Sequence, residues 1–442
     1  MMGVEEPAPL STEQARRRFF EAFRWMERWP YEDLLDHQVM ETERLLRYVR
    51  EHLPLLAGRV EPLFDGEDFH PERWGRLPIL TRAELQEMTP ELDAIQPPET
   101  MGGFERSSTS GSTGQPVRVR RTALAAAAAR SMRDRIYFWH GFDPNARMAG
   151  ISPDWRKSEW PDGESSGSWC CFGPEGTKST LTIFVDAEKQ LDWLGRVRPR
   201  YLTTISSNLH EIAEAALATG QTVEIEAIIA AGTMLSQETR ELAAKAFGAR
   251  VIDVYACEEM GPIAIQCPES GLMHTCAEHM IVEVIDDDGT PVPPNSAGRI
   301  VLTGFYNYAT PLLRYEIGDL VETAAGRCPC GRSLPALRRV VGRNRRPLRF
   351  PDGSQVRVHA AVVAAGVPDI LPAKQFQIAQ VAPTRFEIRY IPRDAGFRPD
   401  TDVIQQRFRE LVHPSADVVL VAVGEIERGA RGKYQDFIYF DS

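Results

Sequence analysis

Residues 107–116 read SSTSGSTGQP, a run of hydroxyl side chains and glycines that ends in a proline. Such a loop leaves backbone N–H groups unobstructed and adds O–H donors, and these are the groups that bind phosphate oxygens. Arg118, Arg120 and Arg121 follow closely and add positive charge. An ordinary polar turn or flexible linker has the same composition, so this alternative stays open. A P-loop NTPase does not fit, because GSTGQP lacks the Gly-Lys-Ser/Thr ending that brings a lysine to the terminal phosphate.

A second group of residues has the chemistry of a metal site. Cys267 lies seven residues before His274 in CPESGLMH, and RCPCGR places Cys328 and Cys330 in a tight turn. Two thiolates from one turn, with a thiolate and an imidazole from another loop, suit tetrahedral zinc. We therefore expect a structural Zn²⁺ that joins the two loops. Unpaired buried thiols beside an ordinary histidine are the alternative. Cys276 and His279 are the two alternatives to His274 as the fourth ligand.

Composition limits the class of protein. With 442 residues, of which 43% are hydrophobic, the chain is expected to form two or three globular domains. A formal net charge of −11 argues against nucleic acid or an anionic membrane as a partner, but permits a local basic site for a nucleotide. The start MMGVEEPAPL lacks the regions of a signal peptide, so a cytoplasmic location is expected. Seven cysteines, an odd number, predict thiols or metal ligands rather than disulfides.

The surrounding elements predict an α/β fold. Residues 37–53 have helical spacing of apolar side chains, and PVRVRRT after the hydroxyl loop predicts a strand followed by an alanine-rich helix. From about 195 to 265, short β-branched runs alternate with helical segments, which indicates βαβ units and a mostly parallel sheet. Ligands bind in the turns at the carboxyl ends of such strands. Here those turns are GTML, with Gly232 and Thr233, and YACEEMG at 255–261.

The remaining chain predicts two further units. Residues 279–305 contain two β runs around an acidic Gly/Pro turn, and suggest a small antiparallel unit. A basic, turn-rich segment then separates this region from an α+β unit, in which strands surround one helix. We expect an N-terminal domain at 1–341, a hinge at 342–346 and a mobile C-terminal domain at 347–442.

Several motifs occur in one order along nearly the whole chain. After the hydroxyl loop come Tyr255 and Glu259 at a strand end, YEIGD at 315–319, a Gly-Arg at the hinge and a Gly-Lys near the C-terminus. In this order, and with LPILTRAELQ before the loop, the sequence resembles the adenylate-forming enzymes, most closely the phenylacetate–CoA ligase branch. The resemblance implies a large adenylation domain with mixed and parallel sheets, and a small α+β domain.

The resemblance also implies a role for each matching residue. Glu259 would hold Mg²⁺ against the phosphates of ATP, and Lys433 would bridge the carboxylate and the α-phosphate during adenylation. Tyr255 would lie against adenine, while Asp319 and Arg343 would contact the ribose. The carboxylate of the acid and the α-phosphate are both anionic, so cations and hydrogen-bond donors are needed to bring them together. The residues that would hold the outgoing pyrophosphate are Thr109, Ser110, Gly111, Ser112, Thr113 and Gly114.

The sequence departs from the family pattern at three positions. Ala256 stands where the family has glycine, and Glu258 stands where it has serine or threonine. The second change adds a carboxylate beside the predicted metal ligand. At the hinge, Arg346 replaces an aspartate that many relatives carry, which bears on domain rotation and hence on the acceptor. The four predicted zinc ligands match positions that members of the ligase branch carry.

The predicted activity is ATP-dependent activation of a carboxylic acid, aromatic by resemblance, to an acyl-adenylate that is transferred to coenzyme A. Trp155, Trp160 and Trp169 either form the wall of an acid pocket or pack a long surface loop. Expected partners are the acid, ATP and coenzyme A, with a homodimer as one option. Two alternatives stay open: transfer to an amine or a carrier-protein thiol, and a non-catalytic, zinc-stabilised nucleotide-binding protein.

Overall fold

The computed structural model describes residues 11–97, 101–108, 117–153, 158–343, 348–356, 371, 373–392, 399–426 and 437–438. The chain divides into two compact units, Met1–Ile317 with Val321–Val340, and Gly318–Leu320 with Val341–Ser442. The exact domain bounds and the hinge stay predictions, because residues 344–347 lie outside the described part.

The N-terminal segment is helical. Its helices are α1 (Thr12–Met26), α2 (Tyr31–His52), α3 (Pro54–Val60) and α4 (Arg82–Ala94), with 3-10 turns at Glu61–Leu63 and Pro71–Arg76 and the short strands β1 (Phe64–Asp65) and β2 (Asp68–Phe69). Capping boxes begin α1 at Ser11 and α4 at Thr81, where the hydroxyl accepts a backbone N–H of the first turn. The helix expected from the apolar spacing of residues 37–53 corresponds to the greater part of α2.

The predicted hydroxyl loop connects the two strands of a hairpin. Strand β3 (Phe104–Ser108) pairs antiparallel with β4 (Arg118–Thr122), and Ser108 lies opposite Arg118. Helix α5 (Ala123–Trp139) follows directly, and the hydroxyl of Thr122 caps it by accepting the N–H of Ala125. The loop therefore begins and ends at a fixed pair of strands, immediately before a buried helix.

The described residues contain a twelve-stranded mixed sheet. Its strands are β5 (Arg147–Ser152), β6 (Glu164–Ser166), β7 (Thr177–Thr182), β8 (Tyr201–Ile205), β9 (Ala227–Ala231), β10 (Arg250–Cys257), β11 (Gly261–Gln266), β12 (Met273–Thr275), β13 (Met280–Ile285), β14 (Ala297–Gly304), β15 (Tyr315–Thr323) and β16 (Ala336–Arg343). Their spatial order is β13-β14-β15-β16-β12-β11-β10-β9-β8-β5-β7-β6.

One half of this sheet contains a parallel block, as the alternating pattern predicts. Strands β7, β5, β8, β9 and β10 are parallel neighbours, whereas β11 is antiparallel to β10. Helices α6 (Ala187–Val197), α7 (Ser206–Thr219) and α8 (Gln237–Phe247) pack on one face through a core that includes Leu191, Leu209 and Ala243. The opposite face packs against α5. The fold class predicted from the sequence is confirmed.

The antiparallel unit expected at 279–305 is not separate. Its strands β13 and β14 do pair antiparallel, but β14 also pairs with β15, so both belong to the edge of the large sheet. Strand adjacency across distant segments is a tertiary property that the local pattern does not contain.

The second unit is a small α+β structure. Strands β19 (Ala373–Ala382), β20 (Arg385–Pro392), β21 (Asp417–Ala422) and β22 (Phe437–Ile438) form a sheet in the order β21-β20-β19-β22. Helix α9 (Thr401–Leu411) packs on it through Ile404 and Phe408, which share a core with Phe386 and Ile388. A further hairpin joins β17 (Leu348–Arg349) and β18 (Gln355–Val356).

Candidate functional site

The turn between β10 and β11 carries the predicted metal ligand. Glu258 is exposed in this turn, whereas Glu259 is 6% exposed. Gly261 follows with a φ of +86°, and a methyl group added to it would lie 3.0 Å from Cβ of Ala129 in α5. Glycine is required there, because the turn needs a left-handed residue and lies directly against the alanine-rich helix.

Glu259 is hydrogen-bonded to the first residue of the YEIGD motif. The hydroxyl of Tyr315, which is fully buried at the start of β15, donates to Oε1 of Glu259 at 3.4 Å. Burial, and then the negative charge of Glu259, raise the pKa of Tyr315 above its ordinary value. The phenol therefore stays protonated and acts as a donor to the carboxylate.

Glu258 joins the same turn to the hairpin of the hydroxyl loop. Ser107, near the end of β3, donates to Oε2 of Glu258 at 3.0 Å. The backbone carbonyl of Glu258 accepts a weaker bond, at 3.4 Å, from the guanidinium of Arg121 in β4. Both strands of the hairpin thus contact the turn that carries Glu259. The loop residues predicted to bind pyrophosphate lie outside the described residues; they are Thr109, Ser110, Gly111, Ser112, Thr113 and Gly114.

Tyr255 lies at an irregularity in β10. It pairs with Ala264 of β11, but the next residue, Ala256, pairs with Pro262, so the register shifts between Tyr255 and Ala256. Such bulges redirect side chains and are frequent beside active sites. Tyr255 is 9% exposed and packs in the same core as Tyr315.

Gly232 and Thr233 form the turn after β9. Gly232 has a φ of +79°. The hydroxyl of Thr233 accepts the N–H of Ser207 at 3.1 Å, and its carbonyl accepts the hydroxyl of Ser206 at 2.9 Å. The turn is thereby fixed to the first residues of α7, at the carboxyl edge of the parallel strands, where the sequence predicts it.

The structure describes the other predicted nucleotide-binding residues only in part. Asp319 lies within β15, four residues after Tyr315. Arg343 ends β16, and its side chain lies outside the described part. Lys433, the predicted adenylation lysine, and Arg346 at the hinge also lie outside the described residues. Their roles stay predictions.

His279 lies beside the Glu259 turn. Its Nε2 lies 3.3 Å from the carbonyl oxygen of Met260, and its ring stacks on Tyr306. Burial lowers the pKa of His279 to about 4, so the imidazole is neutral and its Nε2–H donates to that carbonyl. His279 therefore supports the turn, and it is not among the residues of the cysteine cluster.

The four predicted zinc ligands come together in the structure. Cys267, His274, Cys328 and Cys330 are all buried, and their ligand atoms lie within 4.8 Å of one another. Sγ of Cys267 is 3.7 Å from Sγ of Cys328, and Nε2 of His274 is 3.2 Å from Sγ of Cys330. Zn–S bonds of about 2.3 Å in a tetrahedron place two sulfurs about 3.8 Å apart, so the donor set fits a zinc ion.

The orientation of His274 also suits a metal ligand. Its Nδ1 lies 3.0 Å from the carbonyl oxygen of Leu334, so Nδ1–H donates there and Nε2 faces the thiols. Strand β12, which carries His274, pairs with both β11 and β16. Cys276, proposed as a substitute ligand, is buried in the core below α5 and is not one of the clustered residues.

The described tryptophans of the predicted acid pocket pack against protein. Trp169 is buried, lies edge-on to Tyr137 at 4.7 Å between ring centroids, and donates to the carbonyl of Ala146. Trp160 lies under the guanidinium of Arg196, 5.0 Å from its ring centroid. Both favour the loop-packing interpretation. Trp155 lies outside the described residues.

Several residues around the site were missed from the sequence. Ser107 lies in the hydroxyl loop and Tyr315 begins the YEIGD motif, but the sequence predicted no role for either residue. Each shares its motif with residues that do have a predicted role, and this was the available signal. No sequence signal pointed to the fully buried ion pair between Arg135 of α5 and Glu278, whose guanidinium and carboxylate are 2.5 Å apart. This pair anchors the segment that presents His279.

Comparison with known proteins gives a consistent result. Residues 108–309 match the family model described as AMP-binding enzyme. The phenylacetate–coenzyme A ligase of Thermus thermophilus is 24% identical over 80% of this chain and 80% of its own length. The enzyme of the same name from Escherichia coli K12 is 25% identical over 70% of this chain and 71% of its own length.

The fold also matches solved structures. A crystal structure of 2-hydroxyisobutyryl-CoA ligase in the postadenylation state is 17% identical and aligns with a TM-score of 0.70, over 94% of this chain and 91% of that chain. No helix in the described ranges is long and apolar enough to cross a membrane. The resemblance predicted from the sequence is confirmed.

Proposed function

We propose that the protein is an ATP-dependent acid–CoA ligase, on the basis of the match between residues 108–309 and the family model of AMP-binding enzymes. A carboxylate oxygen of the acid attacks the α-phosphorus of ATP, the bond to the β-phosphate breaks, and acyl-adenylate and pyrophosphate form. The thiol of coenzyme A then attacks the acyl carbon, AMP leaves and a proton is released. Each half-reaction is balanced without a further co-reactant.

One observation carries this proposal. The buried carboxylate of Glu259 lies on a turn that hydrogen-bonds to both strands of the hydroxyl-loop hairpin, and Tyr315 of the YEIGD motif donates to it. Three motifs that are distant in sequence therefore meet at one turn, where the hairpin contacts Glu258 and Tyr315 contacts Glu259. A surface acid would be exposed and would not receive a hydrogen bond from a fully buried tyrosine.

Each residue then has a chemical role. The hydroxyl loop donates hydrogen bonds to the outgoing pyrophosphate, and Lys433 neutralises charge between the carboxylate and the α-phosphate. Tyr315 orients the Glu259 carboxylate. Mg²⁺, whose preferred ligands are oxygens such as those of Glu259, would neutralise charge on the phosphates when bound. Tyr255, Asp319 and Arg343 hold the nucleoside, with Gly232 and Thr233 in the neighbouring turn.

We infer that the acid is aromatic and the acceptor is coenzyme A, because both curated relatives are named phenylacetate–coenzyme A ligases. The test is pyrophosphate release with a panel of acids, followed by AMP release with and without coenzyme A. Pyrophosphate release that depends on an aryl acid, and AMP release that depends on coenzyme A, would support both points. AMP release that needs an amine or a carrier protein would contradict the acceptor. Absence of pyrophosphate with every acid would contradict catalysis.

We further propose that Cys267, His274, Cys328 and Cys330 hold a structural zinc ion, which the buried Cys₃His donor set and its spacing support. Elemental analysis should find about one zinc per chain, and chelation should lower the melting temperature. Cys328→Ser should lower zinc content and stability together, whereas Cys257→Ser, a matched control outside the cluster, should change neither. Protein without transition metal, and a Cys328→Ser variant as stable as the wild type, would refute the zinc site.

A further inference from the structure

Glu27, which caps the C-terminal end of α1, is a buried carboxylate shared by three side chains. Its Oε2 accepts the indole N–H of Trp139 at 2.8 Å and lies 3.9 Å from Nε of Arg135, and both partners belong to α5. Its Oε1 lies 3.4 Å from Nε of Arg332, whose guanidinium also covers the ring of Trp139. Because Glu27 is 4% exposed, these groups rather than water surround its carboxylate.

Glu27, Arg135, Glu278 and Arg332 together form a buried charge cluster. Arg135 pairs with Glu278 through two hydrogen bonds, from Nη1 to Oε2 at 3.1 Å and from Nη2 to Oε1 at 2.5 Å. Two guanidinium groups and two carboxylates balance one another in charge. Within the described ranges Glu27 is the ion-pair partner of Arg332, so removing its charge would leave a buried arginine without a counter-ion.

The charge cluster is continuous with the turn that carries Glu259. Glu278 directly precedes His279, whose Nε2–H donates to the carbonyl of Met260 at 3.3 Å. Met260 is the residue after Glu259, and it also lies against Gly304, where an added methyl group would be 3.5 Å from its sulfur. Close packing leaves little space in which a displacement of Glu278 could be absorbed. A shift in the cluster should therefore reach the backbone beside Glu259.

A second buried ion pair joins the same two helices and provides a comparison. Nη2 of Arg16 in α1 lies 2.5 Å from Oδ1 of Asp134 in α5, and Asp134 also accepts the N–H of Cys171. In the described part of the chain, neither Arg16 nor Asp134 bonds to residues 276–279 or to the Glu259 turn. The two pairs thus share their helices and their burial, but Glu27 alone of the two carboxylates connects to the site.

We propose that Glu27 is a positioning residue for the reaction. Its charge fixes Arg135, which holds Glu278 and His279, and His279 in turn holds the turn from which the Glu259 carboxylate meets the metal. This role rests on the proposed function and adds helix α1 to the parts of the chain that the reaction requires. Residues that orient a metal ligand from behind contribute about 10- to 100-fold to metal affinity or activity.

Four variants test this role. Glu27→Gln removes the charge but keeps an oxygen that can accept the indole N–H of Trp139. Asp134→Asn is the matched control, because it removes a buried carboxylate from the other ion pair between α1 and α5. Glu27→Gln combined with Arg332→Met removes the unpaired cation as well, for the case that the single variant does not fold. Glu27→Gln combined with Glu259→Gln shows whether the effect passes through Glu259.

Three measurements separate positioning from stability. Acid-dependent pyrophosphate release is followed over a range of Mg²⁺ concentrations, at a temperature well below every melting transition. Hydrogen exchange of the backbone amides of residues 255–266, without ATP or Mg²⁺, reports on the turn itself and needs no activity. Zinc content shows whether any loss comes from the cysteine cluster instead.

We expect Glu27→Gln to lower the rate about 10- to 100-fold, to raise the Mg²⁺ concentration needed for half-maximal rate, and to speed exchange at residues 255–266. Its zinc content should equal that of the wild type. In the Glu259→Gln background the same change should cost less than about threefold, because the carboxylate it positions is already absent. The charge-balanced variant with Arg332→Met should keep the loss of rate, whereas Asp134→Asn should lower the melting temperature alone.

The results that would overturn the role are distinct from those that concern the proposed function. Wild-type Mg²⁺ dependence and exchange in Glu27→Gln, equal losses in both backgrounds, or the same loss of rate from Asp134→Asn would each overturn it. A wild type that releases no pyrophosphate with any acid would contradict the proposed function. Faster exchange at residues 255–266 in Glu27→Gln, but not in Asp134→Asn, would still support the connection between Glu27 and the turn.

Discussion

Replacing Glu259 by glutamine removes one negative charge and keeps the size of the side chain. Because the residue is 6% exposed, the charge is little screened by water. An interaction between unit charges about 4 Å apart is worth about 4 kcal/mol at an effective dielectric constant of 20. If the carboxylate holds Mg²⁺ during adenylation, its loss should lower the rate by about 10³-fold.

The neighbouring carboxylate provides the matched control. Glu258 is exposed, and its described side-chain contact is the 3.0 Å hydrogen bond from Ser107. Exposed contacts of this kind contribute about 0.2–1 kcal/mol, so Glu258→Ser should change the rate less than about fivefold. Serine is also a residue that the family resemblance predicts at this position.

The assay is acid-dependent pyrophosphate release, measured over a range of Mg²⁺ concentrations for the wild type and both variants. Glu259→Gln should show the large loss and need more Mg²⁺, with an unchanged melting temperature. Equal losses from the two changes would mean that the carboxylates share the metal, or that the register of the motif is wrong. A Glu259→Gln variant within threefold of the wild type would refute the assignment.

Three further predictions concern other parts of the molecule. Lys433→Ala should abolish acid-dependent exchange of pyrophosphate while ATP binding persists; exchange at the wild-type rate would contradict its role. Burial raises the pKa of Asp253 to about 6, so its contribution to stability is present below about pH 4 and is lost as the pH rises through 6. Asp253→Asn should therefore be more stable than the wild type by about 1–3 kcal/mol at pH 8 but not at pH 4, and equal melting temperatures at pH 8 would exclude this. Arg135→Met should cost about 3–5 kcal/mol, since it leaves Glu278 buried and unpaired, and adding Glu278→Leu should recover most of that loss in denaturant titrations.

The sequence was most informative where the signal is local. The succession β8-α7-β9-α8-β10 follows from β-branched runs that alternate with helical segments, and both periodicities are contained within a few residues. The cysteine and histidine cluster is an exception between distant segments. It was predicted from residue chemistry, because thiolates and an imidazole are the ligands that zinc prefers, and the structure does bring Cys267, His274, Cys328 and Cys330 together.

Contacts between distant segments were not predictable in the same way. Ser107 and Glu258 are 151 residues apart, and Glu259 and Tyr315 are 56 apart. Their meeting depends on the order of strands in the sheet and on the packing of α5, which no local pattern encodes. Motif order indicated that these segments belong to one site, but it did not indicate which side chains bond to which.

The alanine run in α5 shows how a local signal can have a tertiary cause. From the sequence, residues 125–129 indicate only a strong helix, because alanine has the highest helix propensity. In the structure all five are buried, and a larger side chain at Ala129 would meet Gly261. The small residues let the helix approach the turn that carries Glu259, while the hairpin immediately before the helix bonds to the same turn through Ser107. Close contact between α5 and the end of β10 therefore accounts for three features together: the run of alanines, the glycine with positive φ and the hydroxyl-loop hairpin. The helix propensity of alanine and the space that this contact demands select the same residue.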